Sequence, residues 1–129
     1  GKTNYLFPQD HGYQYKGYYL NLEKRPTFMY EYETIKVEDY FEDHLDQDGK
    51  AFFKRTLTFT TEKNEEPFFF RLGAGKTIER NQNSWKIDRL NLEIDQKLKP
   101  IVREGDPKDL ILPIKLSKGE TKIRINYKW

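Results

Sequence analysis

From Tyr13 to Trp129, apolar side chains return at every second residue, and no stretch replaces that rhythm with a convincing helical one. The C-terminal segment shows it most plainly: Ile123, Ile125, Tyr127 and Trp129 alternate with Lys122, Arg124, Asn126 and Lys128. Successive side chains of an extended strand point to opposite faces, so this spacing describes a strand with one face buried and one in water. Such segments recur along the chain, separated by Gly, Pro, Asp and Asn at roughly 8–12 residue intervals. The pattern predicts an all-β fold, an antiparallel β-sandwich of about nine to eleven strands, with a closed barrel as the less favoured alternative.

Read in order, residues 1–12 form an irregular lead-in, after which Tyr13, Tyr15, Gly17 and Tyr19 take alternate positions of a strand. Gln14, Lys16, Tyr18 and Leu20 fall on its other face. Gly17 reads as a site where a side chain would collide with a neighbour. Pro26 cannot donate to a ladder, so the next strand is expected from about Thr27, with Phe28, Tyr30 and Tyr32 sharing a face. Ile35 and Val37 carry the alternation toward Tyr40. A helix over Thr34–Leu45 is the weaker reading, because its acidic residues come without an i, i+3, i+4 apolar stripe. Asp46-Gln47-Asp48-Gly49 is a hairpin turn, since Asp and Gly tolerate the positive φ of a tight reversal. Phe68-Phe69-Phe70-Arg71-Leu72 is apolar on both faces, which suits a central strand ended by Gly73 and Gly75.

A chain of 129 residues fits one domain, 1–129, able to bury roughly two thirds of its unfolded surface. Only 36% of residues are hydrophobic, but 16% are aromatic, so rings must supply much of the core. Phe53, Phe59, Phe69, Tyr127 and most tyrosines are expected to be buried or half-buried. Twenty-three basic and twenty-one acidic residues are interspersed, leaving a formal charge of +2 and no pointer to nucleic acid or a membrane surface. No apolar run approaches the roughly 20 residues of a membrane-spanning helix, and no membrane insertion is expected. Absence of cysteine removes disulfides, thiolate zinc sites, a cysteine nucleophile and covalent haem attachment. The start Gly1-Lys2-Thr3, without Met, reads as an excerpt from a longer protein.

The catalytic and metal motifs are incomplete. Gly73-Ala74-Gly75-Lys76-Thr77 resembles the tail of a phosphate loop, but Phe70 stands where its first glycine belongs. His44-Leu45-Asp46-Gln47-Asp48-Gly49 has the acidity of a calcium loop, yet Arg55 occupies the position of the bidentate Glu. Glu38, Asp39, Glu42 and Asp43 leave a non-standard surface calcium site as a lesser alternative. Two histidines, and two serines outside any nucleophile elbow, support no metal site and no triad. A carboxylate pair acting on a glycoside is the remaining enzymatic alternative. No catalytic residue, metal site or cofactor is assigned.

The aromatic excess supplies the ligand-binding alternative. Sugar-binding sandwiches present rings as flat apolar platforms, and Tyr13, Tyr15, Tyr18, Trp85 and Trp129 are candidates. Tyr13, Tyr15 and Trp85 are the residues singled out for such a platform. The competing reading places these rings in the core.

Tyr15-Lys16-Gly17-Tyr18-Tyr19-Leu20, Arg25-Pro26-Thr27-Phe28-Met29-Tyr30-Glu31-Tyr32, Ile35-Lys36-Val37-Glu38-Asp39, Arg71-Leu72-Gly73-Ala74-Gly75-Lys76 and Ile125-Asn126-Tyr127-Lys128-Trp129 together carry a resemblance. They resemble a β-domain module of large exported bacterial multidomain proteins that also carry c-type cytochrome and sorbosone-dehydrogenase-like or polysaccharide-active domains. The resemblance implies a non-catalytic accessory or interaction domain, periplasmic or at the cell surface. Its partners would be neighbouring domains of the parent protein. In the alternative, a carbohydrate-binding module, the partner is a polysaccharide. The shared motifs are structural in type, so no site residue follows from them.

Overall fold

The computed structural model describes residues 14–129, with the backbone alone at 65–68. The expected lead-in over 1–12, and Tyr13, lie outside the described residues. Eleven strands run through the described chain: β1 (Gln14–Leu20), β2 (Pro26–Tyr32), β3 (Ile35–Leu45), β4 (Ala51–Thr61), β5 (Glu65–Gly75), β6 (Ile78–Asn81), β7 (Ser84–Ile87), β8 (Leu90–Ile94), β9 (Ile101–Arg103), β10 (Lys108–Leu116) and β11 (Gly119–Lys128). They form an antiparallel β-sandwich of unequal layers. Eight strands lie in the order β1-β2-β3-β4-β11-β8-β7-β6, and three in the order β5-β10-β9.

The two-residue rhythm sets the layers. On β3 and β4, Ile35, Val37, Leu57 and Phe59 point at the smaller sheet and are buried, while Lys36 and Lys54 face water. Ile123, Ile125 and Tyr127 of β11 and Leu92 and Ile94 of β8 extend that floor. Its ceiling is Leu110, Leu112, Ile114 and Leu116 of β10 with Phe70 and Leu72 of β5. Phe59 and Phe70 meet edge-on between the layers, ring centres 5.9 Å apart at 80°. Each side chain of this size adds about 1.5–3 kcal/mol when fully withdrawn from water.

Turn chemistry holds the register. Asp46 Oδ1 accepts the N–H groups of Asp48 and Lys50, and Gly49 takes a φ of 79°, closing the β3–β4 hairpin where it is expected. That turn pairs Leu45 with Ala51 and, ten residues on, Ile35 with Thr61.

Ile35–Leu45 forms strand β3, the reading that the missing helical stripe favours. Other expectations are corrected. The apolar segment around Phe70 lies in β5, an outer strand of the smaller sheet; the central place belongs to β10, where Leu110, Ile111 and Leu112 are each at most 1% exposed. Gly17 meets no neighbour; its φ of 102° belongs to a bulge between Tyr15 and Gly17. The bulge moves Tyr15 and Tyr18 onto one face and Tyr19 onto the other. Phe53 is exposed, at the open end of the large sheet, where its ring lies 5.3 Å from Trp129. Tyr15, Tyr18 and Tyr19 are exposed too, whereas Tyr30, Tyr32, Tyr40 and Tyr127 are buried or half-buried.

Gly75 ends β5 and Gly73 lies inside it, at the corner where the chain passes between sheets. A Cβ on Gly75 would stand 2.6 Å from Asp88 Oδ2 and 2.8 Å from Ile87 Cγ2, so the glycine permits the close approach. Asp88 fastens this corner: its Oδ1 accepts from the Thr77 amide at 3.0 Å and hydroxyl at 3.2 Å. The Thr77 amide holds the Asp88 carboxyl below its ordinary value, with help from the Thr77 hydroxyl and Lys76. Because the folded state favours the ionised form, that stabilisation is present above the ordinary value of about 3.9 and disappears as pH falls through the lowered one. Asp88→Asn will therefore lower Tm at pH 7, and its gap from the parent will close as pH falls through the lowered Asp88 value. Calorimetry across pH 2–8 checks this, and a gap independent of pH would refute it.

Candidate functional site

Two acids are buried, Asp39 in the inward phase of β3 and Asp109 on the face of β10 opposite Leu110 and Leu112, and each is committed to arginine. Asp39 is 7% exposed and accepts from Arg55 at both oxygens, Nε to Oδ1 at 2.8 Å and Nη2 to Oδ2 at 2.7 Å. Arg55 Nη1 donates to the Tyr127 hydroxyl at 2.9 Å, and its guanidinium lies 5.1 Å from the Phe41 ring centre and 5.2 Å from that of Phe70. Burial alone would lower the Arg55 pKa, but the Tyr127 phenol and Asp39 carboxylate raise it, fixing the cation. Burial, reinforced by the Asp39 charge, also raises the Tyr30 phenol. The cluster joins β3, β4 and β11 to β5 of the other sheet.

Asp109, 5% exposed, occupies the matching role on the smaller sheet. Its Oδ1 lies 2.7 Å from Arg71 Nε, and its Oδ2 takes the Arg103 guanidinium. A carboxylate held by such bidentate or paired guanidinium contacts is a structural anion. The acids considered for calcium are divided by the pleat: Asp39 faces inward, Glu38 and Glu42 outward. Among the described residues no group of three His, Asp or Glu side chains is placed to hold a metal ion.

The rings expected to form one platform are dispersed. Tyr13 lies outside the described residues. Tyr15, on β1, is half exposed and packs on Tyr30 with ring centres 5.4 Å apart. Trp85, on β7, is half-buried against the core, with the Arg80 guanidinium 5.9 Å from its ring centre. Five strands stand between Tyr15 and Trp85. Tyr15 does gather other apolar neighbours: Tyr18, 58% exposed, lies 6.0 Å from Phe28, and Leu20 continues the row. These side chains point to the inner side of the large sheet, but at its β1 margin, beyond the buried cluster.

The outer side of the large sheet carries two shallow depressions. One, of about 450 Å³, is lined by Tyr19, Asn21, Thr27, Glu38, Tyr40 and Thr56, with Thr58, Glu120 and Lys122 at its far side. The other, of about 630 Å³, is lined by Lys54, Glu93, Arg124 and Asn126, with the amides of Asn81 to Asn83 and the acid Asp95 around it. Thr56 of the first and Arg124 of the second are cross-strand partners, so the two adjoin. Alternation places Glu38, Lys54, Thr56, Arg124 and Asn126 in the outward phases of their strands, but Tyr19 turns outward only through the bulge; their alignment depends on the register of five pairings and was missed from sequence.

No protein-family model, curated protein or solved structure matches the chain.

Removing one member of the buried pair leaves an uncompensated charge. Arg55→Leu will cost about 3–5 kcal/mol in urea unfolding, while Asp39→Leu combined with Arg55→Leu will recover at least half of that loss. Equal losses in the single and double variants would show that Arg55 acts by packing instead of by neutralising Asp39.

Proposed function

We propose that this chain is a non-catalytic accessory domain of an exported multidomain bacterial protein, periplasmic or at the cell surface, which holds a neighbouring domain by surface contact. The observation that carries the reading is the apolar margin formed by Tyr15, Tyr18, Leu20 and Phe28. Tyr15, Tyr18 and Leu20 are each half or more exposed although they lie on the inward-facing side of the sheet. Contiguous apolar surface of this kind marks an interaction site when the rest of the surface is charged. The resemblance to modules of exported multidomain proteins points the same way. Further support comes from the two buried acids, Asp39 and Asp109, whose carboxylate oxygens are each taken up by arginine side chains.

A second reading, a carbohydrate-binding module, is favoured by the outer-face depressions, which combine two tyrosine rings with hydroxyl, amide and carboxylate groups.

Hydroxyl-radical footprinting tests the first reading. Tyr15 and Tyr18 will be oxidised at least about threefold more slowly in the full-length parent protein than in the 129-residue chain, because a packed neighbour excludes solvent from such a patch. Tyr19, on the opposite face, provides the internal control. Equal rates at Tyr15 and Tyr18 in both proteins would remove the proposal.

A further inference from the structure

The register of the large sheet sets Tyr19, Thr27 and Tyr40 directly opposite one another on β1, β2 and β3, all on the outer face. Thr27, between the two rings, is only 5% exposed and forms the floor of a notch. Since adjacent strands lie about 4.8 Å apart, the backbones of Tyr19 and Tyr40 stand roughly 10 Å apart, and the Tyr19 side chain reaches across Thr27 toward β3. The row continues through Thr56 of β4 to Arg124 of β11, where the second depression begins. The result is a trough that crosses the strands, with rings at one end and amides at the other.

Its ring end is built before any ligand arrives. Asn21 Oδ1 accepts the amides of Glu23 at 3.0 Å and Arg25 at 2.9 Å, which fixes the side chain with Nδ2 aimed at Tyr40. Nδ2 donates to the Tyr40 hydroxyl at 2.8 Å, so that oxygen is occupied as an acceptor and keeps its proton to donate. Tyr19 is steadied by its hydroxyl, which donates to Glu38 Oε2 at 3.3 Å. Preorganised donors and rings of this kind lower the ordering cost of binding.

The chemistry of the lining narrows the ligand. Four carboxylates and three cations surround the two depressions, so neither a polyphosphate backbone nor an acidic polymer gains from its field. An added peptide strand would need an open sheet edge, and the trough lies on a face whose backbone groups are already paired. A chain of neutral pyranose units fits: its flat C–H faces suit the rings, and its hydroxyls suit the Thr, Asn and Glu groups between and beyond them. We infer that the trough running from Tyr19 past Thr27 and Tyr40 to Arg124 is the binding site for a linear, neutral oligosaccharide. This rests on the carbohydrate-binding reading, and names its site and ligand class.

Affinity electrophoresis of the full 129-residue chain through gels containing barley β-glucan, xyloglucan, glucomannan or polygalacturonate tests the inference, followed by calorimetry with the polymer that retards it. At least one neutral polymer will retard the chain, and polygalacturonate will not. Tyr19→Ala will weaken binding at least about fivefold by removing one ring platform. Tyr40→Phe, which keeps the ring and loses only the hydroxyl, will weaken it by about three- to tenfold. Ile101→Ala, an exposed position on the smaller sheet, will leave affinity unchanged, and circular dichroism will confirm that all three variants are folded. Retardation that survives Tyr19→Ala and Tyr40→Phe would overturn this site while leaving carbohydrate binding standing. Failure of every polymer to retard the chain would overturn both, and retention by polygalacturonate alone would overturn the neutral-ligand inference while leaving carbohydrate binding standing.

Discussion

Eight strands at about 4.8 Å spacing make a layer far wider than the three strands packed on it, so only part of the large sheet finds an apolar ceiling. Under β5 and β10 the inward side chains are aliphatic or Phe and are withdrawn from water: Val37, Leu57, Phe59, Leu92 and Ile125 are each at most 1% exposed. Toward β1 the same inward phase carries Tyr15, Tyr18 and Phe28, and toward the open end of β4 and β11 it carries Phe53 and Trp129. Tyrosine and tryptophan combine an apolar body with a polar tip, which suits surface wetted on one side. The mismatch between layers thus accounts for both the tight core and the ring-rich margins around it.

Arg55 sits where those regimes meet. A neutral side chain there would leave Asp39 buried and charged, and an exposed arginine would leave the Phe41 and Phe70 faces without a partner. The bidentate contact to Asp39 and the bond to Tyr127 engage all three guanidinium nitrogens, and the rings of Phe41 and Phe70 flank the group. Because these partners come from β3, β11 and β5, the cluster orients the smaller sheet on the larger more specifically than aliphatic contact would. A buried ion pair contributes little net stability against a hydrophobic replacement, so its value here lies in that placement.

Much of this was legible in the residues. Alternation identified an all-β sandwich, its strand number and the C-terminal strand, because a half-buried strand writes its two faces directly into sequence. The Asp46–Gly49 turn was legible through its own hydrogen bonding, and with the turn known, Asp39 and Arg55 fall on one face as diagonal neighbours across the hairpin. Their acid-and-base identities in an otherwise apolar phase were the available signal for the buried pair, obscured because Asp39 sits among Glu38, Glu42 and Asp43. Other features are tertiary. Whether Phe70 lies at the edge or the centre of a sheet depends on which strand lands beside it, and an apolar segment reads the same in both places. Gly17 reads as a steric contact and is a bulge, since one extra residue shifts the phase of Tyr18 and Tyr19 without altering the composition that defines the strand.

That bulge also decides what the two faces of β1 can do. With unbroken alternation, Tyr15 and Tyr19 would share a face and Tyr18 would oppose them; with Gly17 at a φ of 102°, Tyr18 joins Tyr15 on the inward margin and Tyr19 turns outward. One residue in the left-handed region therefore separates an apolar margin suited to a packed neighbour from a ring that stands beside Thr27 and Tyr40. A side chain at position 17 would not clash, since nothing lies within 4 Å of the added carbon, but it would resist the backbone angle. The sheet-wide alignment of Tyr19, Thr27 and Tyr40 accordingly rests on a local backbone preference, and both surfaces depend on the same glycine.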